Sequence, residues 1–323
     1  MINRRAFLLT SSAALAAPHV VRAQGSLDTV LADLPQMHSL QVQRGGDVIF
    51  AKAPRGRGLH TPANIKSCSK SIVALLLGSV LDTGEIPDVR ASLAEVAPDL
   101  IPSGATQGVG AITMEDLVSL RAGLERTSGG NYGAWVNSQN WVADALRRPM
   151  VAEPGGRMLY STGSTHVLGA ALTEATGQSL LALARSRIGN PMGIEIPPWT
   201  RDPQGYYMGG NEMALRPSDM LKIAAMVRDG GAFGGTQVIP TSWIAASMQP
   251  RARSPWSGLG YGYGWFLSDS GYVLGRGYGG QIIAAHPERN LAIAVTSDPL
   301  QPARSDGYFG DLMRVLEGPV LAV

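Results

Sequence analysis

Residues 65–81 read IKSCSKSIVALLLGSVL, a crowded polar start that runs directly into an apolar segment. The chain contains only four lysines, and two of them, Lys66 and Lys70, lie in this stretch. From about Lys66 to Leu81 the sequence predicts a helix that is apolar nearly all round, and such a helix is normally buried. Lys70 would then be carried into the interior, where a lysine is rare unless it is paired or has a chemical role.

The spacing between Ser67 and Lys70 gives that lysine a possible role. Residues three apart share one face of a helix, so Ser67 shares a face with Lys70, whereas Ser69 and Ser71 do not. A serine hydroxyl becomes a good nucleophile when a neighbouring base takes its proton. Burial and the dipole of a helix's first turn both disfavour an ammonium, so Lys70 can serve as the base. The free N–H groups of the same turn can hold an oxyanion. With 26 serines in the chain, however, a chance Ser-x-x-Lys match is common enough that the pattern alone is weak evidence.

Two later segments carry further candidate chemistry. Tyr160-Ser161-Thr162 stands between a Pro-Gly-Gly loop and a helix predicted from Ser164 to Ala175. A tyrosine can relay a proton when a cation stabilises its phenolate. Taken alone, this tyrosine would be read as an ordinary half-buried residue. Gly277-Tyr278-Gly279-Gly280-Gln281 falls on a predicted C-terminal strand. Glycines there would let a substrate lie against the strand edge, where a backbone N–H can point at a carbonyl oxygen.

In this order, the three motifs resemble those of the serine β-lactamase and penicillin-binding-protein superfamily, Ser-x-x-Lys, Tyr-x-Asn and Lys-Thr-Gly. The resemblance is nearest to class C β-lactamase-like serine hydrolases, a group with esterases and 6-aminohexanoate-dimer hydrolases. The flanking segments that extend it over nearly the whole mature chain are TPANIKSCSKSI, EPGGRMLYSTGSTHVLG, GGNEMALRPSDMLKIAAMVRDGG and YGYGWF. The resemblance implies that Ser67 is the nucleophile, that Lys70 and Tyr160 transfer protons, and that the N–H groups of Ser67 and Gln281 form the oxyanion hole. It implies no metal and no organic cofactor.

Two departures from the superfamily pattern bear on the substrate. Thr162 stands where asparagine is usual, and Tyr278 stands where lysine or histidine is usual. In relatives that hydrolyse β-lactams or cell-wall peptides, that lysine receives the substrate's carboxylate. A neutral tyrosine there favours short, uncharged esters or amides, although Arg276 would face the same way from two residues earlier on the strand. The predicted substrate-binding residues are Thr162, Tyr278, Gly279, Gly280 and Tyr132.

Several alternatives stay open or fare worse. A β-lactamase or DD-peptidase would use the same chemistry on carboxylate-bearing substrates, and a penicillin-binding-like sensor would be acylated without turnover. Gly275-x-Gly277-x-x-Gly280 fits a dinucleotide fingerprint, but predicted strands follow it instead of a helix. The histidines lack metal-ligand spacing, so no metal site is predicted, and a lone histidine is more often structural. Cys68 is predicted to be a small core residue, and Tyr132 is either an aromatic wall of the site or packing.

The order of predicted elements indicates an α+β fold. A β-hairpin over 38–53 lies near the N-terminus, further strands follow residue 258, and helices fill the region between them. We therefore expect an antiparallel sheet built from both terminal segments and flanked by helices. A mostly helical subdomain at about 82–210 would be inserted into an α/β part formed by 24–81 and 211–323.

The N-terminus, MINRRAFLLTSSAALAAPHVVRAQG, predicts a signal peptide over residues 1–23. Arg4 and Arg5 before a modest apolar run are typical of twin-arginine export to the periplasm, with a general secretory signal as the alternative. Removing this segment takes away three arginines and no acid, which leaves 24 basic and 25 acidic residues. Such a near-neutral chain is not expected to bind nucleic acid, and no later apolar run is long enough to insert stably into a membrane. The expected partner is therefore a small ester or amide substrate.

Overall fold

The structure, a computed structural model, describes residues 26–323, so the predicted signal peptide lies outside the described residues. Its centre is an eight-stranded antiparallel sheet with the order β2-β1-β12-β11-β10-β9-β8-β7. The strands of this sheet are β1 (Met37–Arg44), β2 (Asp47–Lys52), β7 (Ala252–Arg253), β8 (Gly260–Tyr261), β9 (Phe266–Leu267), β10 (Val273–Arg276), β11 (Ile282–His286) and β12 (Leu291–Ser297). Two short ribbons pair β3 (Ala63–Asn64) with β4 (Ala214–Leu215) and β5 (Ala232–Phe233) with β6 (Thr236–Gln237).

Helices flank the sheet and fill the middle of the chain. They are α1 (26–33), α2 (Ser69–Thr83), α3 (Leu93–Val96), α4 (Met114–Val118), α5 (Tyr132–Val136), α6 (Trp141–Leu146), α7 (Thr162–Thr176), α8 (Leu180–Ala184), α9 (Asn190–Met192), α10 (Pro217–Arg228), α11 (Thr241–Ser247) and α12 (Tyr308–Val315). The N-terminal strand β1 lies directly beside the C-terminal strand β12. The predicted α+β fold, with one antiparallel sheet built from both ends of the chain, is therefore confirmed. None of the strands named for residues 26–323 falls between 82 and 210, while the bounds of an inserted subdomain stay a prediction.

Both faces of the sheet are buried because the apolar residues of its central strands alternate between two cores. On β12, Ile293 and Val295 join a cluster with residues of α1 and α12, whereas Ala292 and Ala294 join the cluster that contains α2 and α10. A strand points successive side chains to opposite faces, so a strand covered on both sides is apolar throughout. The near-continuous run LAIAVTS has this composition.

The predicted hairpin and the main predicted helices are present, with shifted starts. The helix expected from Lys66 begins with a 3₁₀ turn over Lys66–Cys68, and the α-helix proper starts at Ser69 and is closed by Gly84 with φ of 79°. The helix expected from Ser164 begins two residues earlier, because Ser161 takes the extended conformation of an N-cap. This shift places Thr162 on the first turn of α7.

No single helix among residues 26–323 has the length and apolar composition to cross a membrane. The bent pair formed by Thr162–Thr176 and Leu180–Met192 passes that test only when the two helices are taken together.

Candidate active site

Ser67 and Lys70 meet at the start of α2. The Lys70 ammonium nitrogen lies 3.1 Å from Ser67 Oγ, within hydrogen-bonding reach. Ser67 is partly exposed, while Lys70 is 2% exposed. The neighbouring serines point elsewhere, since Ser69 donates to the Lys66 carbonyl at 2.6 Å and Ser71 donates to the Gly264 carbonyl at 2.7 Å. The structure thus brings the lysine to the one serine that shares its helix face.

The other contacts of Lys70 are with neutral groups. Its Nζ donates to the Gly210 carbonyl at 2.7 Å and to Thr162 Oγ1 at 3.3 Å. Burial without a carboxylate partner disfavours the charged form and lowers the pKa of Lys70 to about 7. A large fraction of this lysine is therefore the free amine at neutral pH, which is the form that can accept a proton from Ser67.

Tyr160 lies beside this pair, immediately before α7. The Lys70 nitrogen is 4.9 Å from the centre of its ring, and the ring stacks on Phe266 with 6.2 Å between centroids. Burial raises the pKa of Tyr160 to about 12, partly offset by the Ser67 side chain and by the charge of Arg276. The phenol is accordingly protonated at neutral pH, when Lys70 is partly neutral. These environments suit Lys70 to accept a proton and Tyr160 to donate one.

Thr162 is placed as a support for Lys70, facing the interior. It is 3% exposed, and its hydroxyl bonds to Ser128 Oγ at 3.0 Å as well as to Lys70. The Ser128 hydroxyl also accepts the backbone N–H of Thr162 at 2.9 Å. Ser128 was not singled out by the sequence, because it lies in a polar loop with no pattern of its own.

The turn from Gly277 to Gln281 lies against the nucleophile segment. The Cys68 thiol, next to Ser67, donates to the Gln281 carbonyl at 3.4 Å. Gln281 is fully buried and its side-chain amide donates to the Ser297 carbonyl at 3.0 Å, so the side chain anchors the turn. Ser67 and Gln281, whose backbone N–H groups are the predicted oxyanion donors, therefore lie on two segments that meet at this contact.

The glycines of this turn pack closely against other parts of the chain. A Cβ on Gly280, whose φ is 92°, would lie 2.6 Å from the Tyr308 ring, and one on Gly279 would collide with the Asp298 carbonyl. Both glycines are buried. The close packing of the turn on its own chain therefore requires glycine at both positions, while their contact with a substrate stays a prediction.

Tyr278 and Arg276 differ in their surroundings. Tyr278 is 56% exposed. The Arg276 guanidinium donates to the Ala303 carbonyl at 2.7 Å and to Ser305 Oγ at 3.0 Å, and it lies 3.5 Å from the centre of the Phe309 ring. Arg276 is thus fixed by neutral partners on its own side of the strand, while Tyr278 stands free at the surface.

Cys68 and His166 lie where the sequence predicted structural residues. Cys68 is fully buried in the main core, and burial raises the pKa of its thiol to about 12. His166 is fully buried, and its Nε2 lies 3.0 Å from Asp202 Oδ2. Its Nδ1 accepts the N–H of Gly209 at 3.4 Å, which makes Nε2 the protonated nitrogen. Within residues 26–323 there is no cluster of three His, Cys, Asp or Glu side chains suited to a metal ion.

The segment Gly209–Met213 supplies contacts that the sequence did not predict. Besides the Gly210 carbonyl on Lys70, the Asn211 amide donates to the Tyr132 hydroxyl at 2.9 Å. Tyr132 is partly buried among aromatic rings, with Trp135 at 5.9 Å between centroids. No periodicity in the sequence placed the run GGNE beside a helix about 140 residues earlier.

Comparison with known proteins settles the family. A profile of the Beta-lactamase family matches residues 31–314, most of the chain. The chain belongs to the Beta-lactamase family. As a family member with its serine and lysine in contact, the protein is a serine hydrolase. No curated protein sequence matches it significantly.

Solved structures share the fold of this family member. EstCE1, a hydrolase with promiscuous acyltransferase activity, superimposes with a TM-score of 0.77 at 17% identity, covering 95% of this chain and 100% of its own. A family VIII carboxylesterase gives a TM-score of 0.71 at 18% identity, covering 95% and 98%. A penicillin-binding protein homologue from Caulobacter crescentus gives 0.71 at 17% identity, covering 87% and 91%. At these identities the likeness establishes the fold alone.

Proposed function

We propose that this serine hydrolase cleaves short, uncharged esters or amides through an acyl-enzyme on Ser67. The observation that carries the proposal is the 3.1 Å contact between Ser67 Oγ and a buried Lys70 whose pKa is lowered to about 7. A neutral amine at that distance can accept the serine proton as the oxygen attacks a carbonyl carbon.

The proposed reaction has two steps, acylation of Ser67 and hydrolysis of the acyl-enzyme, and the same side chains transfer protons in both. The Lys70 amine takes the Ser67 proton, and the N–H groups of Ser67 and Gln281 hold the carbonyl oxygen as it becomes negative. The Tyr160 phenol gives its proton to the leaving group and regains one from the Lys70 ammonium. Water then attacks the acyl-enzyme with the same groups acting in reverse, which frees Ser67 and the acid.

The proposed substrate class rests on the strand side of the site. A substrate carboxylate that leaves water needs a paired cation. Tyr278 offers none, and the Arg276 guanidinium is already held by the Ala303 carbonyl and Ser305. EstCE1 and the family VIII carboxylesterase, which share the fold, are a hydrolase and an esterase. These observations favour neutral acyl groups.

The test of the nucleophile compares two serines of one helix. Ser67→Ala should lower hydrolysis of p-nitrophenyl acetate by about 10⁴-fold or more and abolish labelling by a fluorophosphonate. Ser69→Ala should still be labelled, because its hydroxyl is committed to the Lys66 carbonyl and the Met213 N–H. Labelling that persists in Ser67→Ala, or a stable acetyl adduct without turnover in wild type, would contradict the proposal. The second result would favour a sensor.

The test of the substrate class compares kcat/KM for p-nitrophenyl acetate and for nitrocefin, which bears a carboxylate. The ester should have the higher kcat/KM. Tyr278→Lys should raise kcat/KM for nitrocefin relative to that for the ester, because the lysine supplies a cation for the carboxylate. Wild-type cleavage of nitrocefin as efficient as that of the ester would support the alternative β-lactamase or DD-peptidase activity. Loss of that cleavage in Arg276→Ala would then identify Arg276 as the carboxylate partner.

We also propose that the protein reaches the periplasm through the twin-arginine route, on the strength of Arg4 and Arg5 in residues 1–23. Changing both arginines to lysine should leave the enzyme in the cytoplasm, as measured by fractionation of expressing cells. Export that continues undiminished would indicate the general secretory route.

A further inference from the structure

Two residues beside the catalytic groups have a backbone conformation that side chains disfavour. Lys66, directly before Ser67, has φ of 49°, and Glu212, two residues after Gly210, has φ of 66°. Only two other non-glycine residues among 26–323 have positive φ, Leu120 and Asn290. Such conformations persist where the surrounding structure imposes them, and they concentrate at functional sites.

The side chains of these two residues are joined to each other. Lys66 Nζ lies 2.9 Å from Glu212 Oε1, with the two side chains 16% and 26% exposed. Asn64 completes a closed network, because its Nδ2 donates to Glu212 Oε2 at 2.6 Å and its Oδ1 accepts the backbone N–H of Lys66 at 2.8 Å. Both carboxylate oxygens are therefore bonded, and Asn64 contacts both members of the pair.

Each of the two residues controls one backbone group of the site. Rotation about the Lys66 backbone would redirect the N–H of Ser67, an oxyanion donor. Rotation at Glu212 would displace the Gly210 carbonyl, which holds the Lys70 nitrogen at 2.7 Å. The two segments are also tied by the Ser69 hydroxyl, which donates to the Lys66 carbonyl at 2.6 Å and accepts the Met213 N–H at 3.2 Å.

We propose that Lys66 and Glu212 are a positioning pair, whose contact holds both left-handed residues and thereby aims the Ser67 N–H at the reacting carbonyl and the Lys70 amine at the Ser67 hydroxyl. This inference rests on the proposed acyl-enzyme function of Ser67. A pair with this role changes the rate of the chemical step. A lysine that binds substrate would change KM, and a salt bridge that only stabilises the fold would change neither.

The experiment separates the charge contact from the backbone conformation. Glu212→Gln keeps the size and the Asn64 contact but removes the charge. Lys66→Ala removes the contact and keeps the penalty of positive φ, whereas Lys66→Gly removes both, since glycine adopts positive φ without strain. With p-nitrophenyl acetate we expect kcat to fall on the order of 10-fold in Glu212→Gln and Lys66→Ala with KM within about twofold, because small misplacements of reacting groups cost such factors. Lys66→Gly should recover at least about threefold over Lys66→Ala.

Two controls frame these results. Asp28→Asn breaks an exposed ion pair with Lys52 and should leave kcat unchanged. The double variant Lys66→Glu with Glu212→Lys should have a higher kcat than either single variant, since it restores an ion pair between the two positions. Melting temperatures show whether each variant is folded at the assay temperature. If Lys66→Ala is unfolded there, the conservative Glu212→Gln still tests the inference.

The outcomes that would overturn the inference differ from those that would overturn the function. Wild-type kcat in Lys66→Ala and Glu212→Gln, beside an inactive Ser67→Ala, would reject the positioning pair alone. A rise in KM at constant kcat, or a Lys66→Gly variant no better than Lys66→Ala, would do the same. An active Ser67→Ala would instead reject the acyl-enzyme itself.

Discussion

The helix side and the strand side of the site each hold one cation near Tyr160, and the two cations behave differently. Lys70, at the start of α2, is bonded to a serine, a threonine and a carbonyl, and its pKa is lowered to about 7. Arg276, at the end of β10, is bonded to a carbonyl and a serine over a phenylalanine ring, and burial lowers its pKa only to about 10. Both have neutral partners, yet only the lysine loses its charge near pH 7.

The difference shows how one kind of environment produces two functions. A guanidinium begins from a pKa so high that burial still leaves it protonated, whereas an ammonium begins low enough to become a base. In the proposed mechanism the lysine side therefore supplies the proton acceptor, and the arginine side supplies a constant positive charge. The charge of Arg276 offsets part of the effect of burial, so the pKa of Tyr160 is lower, and its phenol a better acid, than burial alone would make it.

Exchanging the lysine for the other cation should have the largest effect. Lys70→Arg keeps a positive charge but removes the base, so kcat/KM for p-nitrophenyl acetate should fall by about 10³-fold, within the usual range for a lost general base. Lys70→Met should be similarly impaired. An Arg variant that is much more active than the Met variant would mean that the charge, and not proton transfer, is what Lys70 contributes.

The pH profile tests the same contrast without a substitution. In the proposed mechanism the neutral amine of Lys70 is the active form, and its pKa is about 7, so kcat/KM should rise with pH and level off above pH 7. Below that value it should fall about tenfold per pH unit. Lys52→Met, a change at an exposed lysine, should leave this profile in place. A rate independent of pH between 5 and 9 would contradict the assignment of Lys70 as the base.

Removing the constant charge should have a smaller effect that depends on the leaving group. In Arg276→Gln the Tyr160 phenol becomes a weaker acid, so an alkyl ester, whose leaving group needs a proton, should react roughly 10-fold more slowly. A p-nitrophenyl ester leaves without a proton and should lose less than about threefold. Equal losses for both esters would show that Arg276 affects folding or binding instead.

The smallest expected effect concerns stability. Between pH 7 and 10.5 the unfolded chain protonates Lys70 and the folded chain does not, so the folded state gains stability as the pH rises through this window. The melting temperature of Lys70→Met relative to wild type should therefore increase by a few degrees as the pH falls from 10 to 7. In Lys52→Met the relative melting temperature should not follow that course.

The parts of the site that the sequence predicted are those that local geometry determines. Ser67, in the 3₁₀ turn, and Lys70, in α2, are three residues apart, and this spacing places side chains on one face in either kind of helix, so their contact follows from it. Cys68 follows as the core-facing neighbour. The Gly210 carbonyl and Glu212 could not be found this way, because a loop far along the chain has no periodicity that fixes its place. The glycines at 279 and 280 were recognised from the sequence, but their close packing on Asp298 and Tyr308 could not be predicted, because these residues meet them only in the folded chain.

The fold itself was predictable because apolar patterns specify which strands are covered. The alternation of strands and turns after residue 258 predicted strands in the region of β8 to β12, and the N-terminal hairpin supplied β1 and β2, whereas the short β7 lies before that residue and was not predicted. Helix starts differed from the predicted ones by three residues at Ser69 and by two at Thr162, where a 3₁₀ turn and capping decide the first residue.

The chain has one cysteine, Cys68, placed next to the nucleophile and sealed from solvent. A thiol reagent reacts with the thiolate, and a buried thiol whose pKa is raised to about 12 presents almost none at neutral pH. Alkylation in native buffer would therefore wait for the start of α2 to open, so its rate measures how often that opening occurs. The alkylation rate of Cys68 thus reports local opening of the segment that contains Ser67, and a tightly bound acyl group should lower this rate.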